Sequence, residues 1–342
     1  MYRMREKALS LINGGHDESY ALLPAYVEMI KETNLGSYVI CAWTVMNTPK
    51  KPLQFKSLFV SFNAQFRGLI EGCRSLIGVD GTHLKGNHGG GLLSAIAVDG
   101  NNEIFLVAVG VVEAENKENL SNFFWHLKQM LSESGREDWT IISDRQKELS
   151  QHWTKYGLHF TEGFVQDICV KTSKKTTLGF LRINCSGKLL MLTPILFSKK
   201  HLIPWFSMEV IVVADGIRRI SMVRHATRQH VAESWPDDGI CPNIRDRLGV
   251  LKKESRFCEA FSSSAKACYE VRDGRTYLPV SLTNRTCKCG QWQINGIPCK
   301  HAIRAIITAN RKPEAYVSDW FSVARYKAAC GLSILSIPDS EQ

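Results

Sequence analysis

No apolar run among the 342 residues approaches the roughly eighteen that a membrane-spanning helix requires, so no membrane partner is expected. The basic opening stretch MYRMREKALSLINGG is followed by no apolar core and no small-residue cleavage site, so it does not read as a secretory signal. A disulfide framework is missing too. Eleven cysteines are an odd number, and eight of them, Cys41, Cys73, Cys169, Cys185, Cys241, Cys258, Cys268 and Cys330, stand singly. Single cysteines without a secretory context read as small buried hydrophobes in a reducing, intracellular compartment. Internal repeats and low-complexity tracts are absent. One sign of charge also vanishes locally: between Asp167 and Glu209 there is no acid, while Lys171, Lys174, Lys175, Arg182, Lys188, Lys199 and Lys200 all fall inside.

What is present is a globular mixture, 44% hydrophobic and 22% charged, which is enough apolar material for a full-size core plus smaller pieces. The net charge of +10 favours acidic partners, nucleic acid first among them. The acid-free stretch reads equally well as a solvated basic surface or as a phosphate-contacting segment.

Along the chain, Leu22, Leu23, Tyr26, Val27 and Ile30 repeat at helical spacing, giving a helical lead-in over residues 1–75. The character changes at residue 76. Leu76–Asp80 is a short apolar strand ending on an acid, Leu92–Val98 a second, and Ile104–Val112 a β-branched third. The turn signal Asp99-Gly100-Asn101-Asn102 joins the last two. Leu120, Phe123, Phe124, Leu127, Met130 and Leu131 then follow the i, i+3, i+4, i+7 pattern of an amphipathic helix. Trp139–Asp144 is a further strand ending on an acid. A helical crossover after a meander lets this strand lie parallel to the first. Asp80 and Asp144 then sit side by side at one sheet edge, where paired carboxylates hold Mg²⁺ or Mn²⁺ for phosphoryl transfer. The alternative for an Asp before Gly is a turn residue, as for Asp99. Residues 150–208 are atypical and show no clear period, and Ile211–Ala214 reads as a strand. We delimit an α/β domain at 76–235, a linker and basic helix at 236–272, a small module at 273–312 and a tail at 313–342.

The module contains Cys287-Lys288-Cys289, nine residues, and Cys299-Lys300-His301. Cys-x-Cys in an extended segment puts two thiolates on one face. Gly290, Gly296 and Pro298 turn the chain back, and Cys-x-His presents two more donors at the mouth of a helix. Four soft or borderline donors with no open position suit structural zinc rather than catalysis. The segment TCKCGQWQINGIPCKHAIRAI resembles a SWIM zinc finger, a family associated with DNA and protein binding.

The stretch from LIGVDGTHLKG through WTIISDRQKEL resembles the transposase domain of plant Mutator-like elements. That resemblance implies an RNase H-like mixed sheet with flanking helices, a DDE triad and a nuclear location. It makes Asp80 the first acid and Asp144 the second. Two departures accompany it. The family carries C-x-x-H after the second acid, whereas Cys169 is followed at that spacing by Thr172. The family's N-N-x-x-E-S-F-N segment, which bears the third acid, has no counterpart, and Glu209 is the nearest substitute. Three readings follow: a DNA-binding, zinc-bearing protein with a degenerate catalytic site; an active DDE transposase using Mg²⁺ or Mn²⁺; and a protein-interaction module acting through the zinc finger.

Overall fold

The computed structural model describes residues 16–44, 54–84, 90–114, 116–136, 139–143, 182–183, 189–190, 210–263 and 267–337. The chain divides into two units, one made of Met1–Val98, Ile104–Glu233 and Ala328–Gln342, the other of Asp99–Glu103 and Ser234–Lys327.

The first unit is built on a six-stranded mixed sheet. Its elements are α1 (His16–Thr33), β1 (Tyr38–Thr44), β2 (Gln54–Ser61), α2 (Asn63–Gly72), β3 (Leu76–His83), β4 (Gly91–Val98), β5 (Ile104–Val112), α3 (Lys117–Ser132), β6 (Thr140–Ser143), a separate two-stranded pair β7 (Arg182–Ile183) and β8 (Leu189–Leu190), and α4 (Val210–Glu233). The sheet order is β1-β2-β5-β4-β3-β6. Among the described residues, only β3 and β6 pair in parallel, with Leu76 opposite Thr140 and Val79 opposite Ser143. The meander-then-crossover expectation is met, because α3 supplies the length a parallel return needs.

Every residue of β5, and all but the last of β4, is buried, so both faces of the sheet centre are covered. Leu58, Val109 and Val111 pack with Ala214 and Ile217 of α4 on one face. Phe59 meets Phe123 of α3 with ring centroids 5.2 Å apart. Each such side chain contributes about 1.5–3 kcal/mol on leaving water. Asn116 caps α3 by accepting from the Asn119 backbone N–H, which satisfies one of the orphan donors of the first turn.

Three expectations need correcting. The lead-in is not wholly helical. Tyr38–Thr44 and Gln54–Ser61 are strands that extend the sheet past β5, and their β-branched and aromatic residues pack well on a pleated surface. Ile211–Ala214 is not a strand but the start of α4. Val210, Val213, Ala214, Ile217, Arg218, Ser221 and His225 are buried at helical spacing, and that stripe outweighs the local β-propensity. Residues 236–272 hold the expected basic helix, α5 (Pro242–Glu254), but also strand β9 (Cys258–Ser262), and β10 (Cys268–Asp273) begins within them.

In the second unit, β9 and β10 continue into β11 (Thr276–Ser281) and β12 (Thr286–Cys287), an antiparallel sheet in the order β12-β11-β10-β9. The remaining elements are α6 (Gln291–Asn295), α7 (Lys300–Thr308) and, straddling the boundary between units, α8 (Val323–Ala329). Ala302, Ala305 and Ile306 of α7 form a small core with Val271, Val280, Leu282 and Trp292.

Candidate metal centre

The four donors of the Cys-x-Cys and Cys-x-His pairs converge in the second unit. Cys287 ends β12, and the chain turns at once rather than staying extended: the Gly290 N–H donates to the Cys287 carbonyl at 2.9 Å. This corrects the extended-segment expectation, because a turn brings both thiols to the same point more directly than a strand face does. Gly290 (φ +76°) and Gly296 (φ +70°) bracket α6 in the left-handed region, where a side chain would be strained. Cys299 is the N-cap of α7, its Sγ accepting from the Ala302 N–H at 3.5 Å. A thiolate there is favoured by the positive end of the helix dipole.

The donor atoms of Cys287, Cys289, Cys299 and His301 all lie within 4.8 Å of one another. Cys289 Sγ is 3.5 Å from Cys299 Sγ. Nδ1 of His301 is 3.8 Å from the sulfurs of both Cys287 and Cys299. A zinc tetrahedron with its usual bond lengths has edges of about 3.8 Å between sulfurs and about 3.5 Å between sulfur and nitrogen. The donors therefore already lie at the spacing of such a tetrahedron. Crowding sets their proton affinities: hydrogen bonds with Cys287 and Cys299 drive the Cys289 thiol far down.

Behind the donors stands a residue that the sequence does not single out. Asp273, the last residue of β10, lies 3.0 Å through Oδ2 from Nε2 of His301. The same oxygen is 2.6 Å from the Lys300 ammonium, whose hydrogen bond holds the Asp273 carboxyl below its ordinary range. Asp273 is 28 positions from His301 in sequence, and only the β10–β11 hairpin brings it back. Nε2–H donation to Asp273 fixes the tautomer that turns Nδ1 toward the three sulfurs.

The acidic constellation is placed only in part. Asp80 lies in β3, half-buried, opposite Ser94 of β4, and its Oδ1 accepts from the Gly81 N–H at 2.9 Å. Asp144 and Glu209 lie outside the described residues. The parallel register of β3 and β6 ends at Val79 and Ser143, one residue before each strand's acid.

Residues 76–169 match the MULE transposase domain, and residues 273–310 match the SWIM zinc finger. The chain carries a MULE transposase domain and a SWIM zinc finger. The SWIM match starts at Asp273, so it takes in the carboxylate behind His301 as well as the four donors. No curated protein and no solved structure matches the chain. Among the described residues, no helix is long and apolar enough to cross a membrane.

Proposed function

We propose that this is a transposase-derived DNA-binding protein whose SWIM finger is held by a structural zinc on Cys287, Cys289, Cys299 and His301, and whose catalytic site is degenerate. The observation that carries the zinc assignment is the closed donor set: three thiols and one imidazole leave no position open for a substrate. The net charge of +10 and the transposase lineage support DNA as partner and the nucleus as location. The absence of the family's third-acid segment from the sequence supports the loss of catalysis, because two carboxylates hold a metal pair poorly without a third. The α/β sheet, in which β3 and β6 pair in parallel, is in keeping with an RNase H-like fold.

A second reading, an active DDE transposase with Mg²⁺ or Mn²⁺ between Asp80 and Asp144, draws on the position of Asp80 in the strand that pairs in parallel with β6. Mn²⁺ titration of the zinc-loaded protein by electron paramagnetic resonance separates the two. We expect no saturable Mn²⁺ binding that depends on both acids. Binding abolished by Asp80→Asn and by Asp144→Asn would restore the enzyme reading.

The contact between Asp273 and His301 gives a further expected result. Asp273→Ala removes the acceptor that orients His301, and the loss of such a partner weakens metal affinity by roughly 10–100-fold. Competition with a chromophoric chelator measures it. An unchanged zinc affinity would leave Asp273 as a partner of Lys300 alone.

A further inference from the structure

In the second unit several cations meet a carboxylate. Lys252 pairs with Glu314 at 2.5 Å, Arg272 with Glu259 at 2.5 Å, Lys300 with Asp273 at 2.6 Å, and Lys327 with Asp237 at 2.6 Å. The polar contacts of Arg285 and Arg311 converge instead on one aromatic residue and its neighbour. Nη1 of Arg311 donates to the Tyr316 hydroxyl at 2.7 Å. The Arg285 guanidinium carbon stands 5.9 Å from the centre of the same ring, and its Nη2 reaches the Ala315 carbonyl at 3.5 Å. Both arginines are exposed, while Tyr316 is 9% exposed and forms the floor beneath them.

Holding two guanidinium groups against one ring stores like-charge repulsion that a polyanion relieves. Each guanidinium has five N–H donors and directs one of them at this floor, so most of each fork is left for an acceptor from outside. Arg285 also carries a backbone cost: at φ +51° it sits in the left-handed region without being glycine. The floor is rigid because Tyr316 packs edge-on against Trp292, with centroids 6.0 Å apart, and Trp292 belongs to α6, between the two donor pairs.

We propose that Arg285 and Arg311, seated on Tyr316, form a phosphate clamp for the backbone of duplex DNA. The clamp rests on the DNA-binding reading above and locates its electrostatic contact on the zinc finger. It grips phosphates without reading bases, so it contributes affinity and salt dependence in equal measure across sequences.

The test is a salt titration of full-length, zinc-loaded protein binding a labelled duplex of arbitrary sequence. In Arg285→Gln/Arg311→Gln the slope of log affinity against log salt should fall by roughly two, about one for each phosphate that is no longer neutralised. Affinity at low salt should drop more than about tenfold. Arg272→Gln, an ion-paired and exposed control, should leave both unchanged. Arg285→Lys/Arg311→Lys should keep most of the slope, which makes the result independent of any folding defect in the Gln pair. A wild-type protein that does not bind duplex DNA would overturn the DNA reading and the clamp with it. A wild type that binds, alongside a Gln pair of unchanged slope, would overturn the clamp alone. A Lys pair behaving like the Gln pair would also overturn it, because charge would then not be the operative property.

Discussion

Cys299→Ser is expected to strip the zinc from the chain and to unfold the sheet and helix around it. Cys299 has three tasks: it faces Cys289 at 3.5 Å, it faces His301 Nδ1 at 3.8 Å, and it caps α7. The core beside it is small, with Val271, Val280, Leu282, Trp292, Ala302, Ala305 and Ile306 as its main apolar members. A structural zinc contributes about 10–16 kcal/mol at neutral pH, against a typical whole-domain stability of about 5–15 kcal/mol. Losing the metal therefore exceeds what this core can absorb. Metal content should fall to background, and Trp292, 2% exposed in the folded state, should report the change by red-shifted fluorescence. The first unit provides the internal control, because its sheet has its own core. A Cys299→Ser protein that still carries one zinc per chain with Trp292 buried would refute the ligand assignment.

The second large effect is on the other unit and depends on pH. His225 of α4 is 3% exposed, its ring edge-on to Phe105 with centroids 5.4 Å apart, and among the described residues its Nδ1 has no hydrogen-bond partner. Burial, with the Arg228 charge adding to it and a backbone hydrogen bond to Leu332 opposing it, lowers its pKa from 6.5 to about 4. Native His225 thus stays neutral down to about pH 4, while the unfolded chain takes up a proton below about pH 6.5. Between those values the unfolded state binds more protons, so stability is full above the unfolded pKa and declines as pH falls toward the folded one. The loss is on the order of 3 kcal/mol at the acid end. Urea midpoints at about pH 7.5 and about pH 4.5, on either side of the unfolded histidine value, measure it, and His225→Gln removes the titration. The wild type should lose markedly more stability between the two pH values than the variant. Equal losses would mean that other groups carry the acid sensitivity.

How much of the fold is legible in the sequence depends on whether one period dominates. The β3–β6 block is readable because its strands are short, β-branched and bounded by turn chemistry such as Asp99-Gly100. Asp99 Oδ1 indeed accepts from the N–H groups of Asn101 and Glu103. Helix α3 is readable because its buried apolar residues share one face. The start of α4 misleads because Ile211, Val212 and Val213 favour strands locally, and their helical stripe becomes visible only when extended as far as His225. Strands β1 and β2 are obscured by the strong helical spacing that precedes them in α1.

The four zinc-site donors are legible because their spacing is a local signature, two pairs separated by turn residues. Their support is not. Asp273 and Tyr316 carry no motif, and they reach His301 and the two arginines only through a hairpin and a 3-10 turn that sequence alone does not place. Of the acids considered from the resemblance, Asp80, Asp144 and Glu209, only Asp80 falls among the described residues.

The extra residue of β2, Lys56, which slips the register opposite Ala42 and Trp43 of β1, has a consequence for behaviour in concentrated solution. Among the described residues β1 is the last strand on its side of the sheet, and an unpaired strand flank invites a second chain to add on. A bulge sharpens the local twist and breaks the even ladder of N–H and C=O groups, so an incoming strand finds no straight template. Deleting Lys56, the extra residue, would restore an even register beside this edge and should make the protein more prone to self-associate.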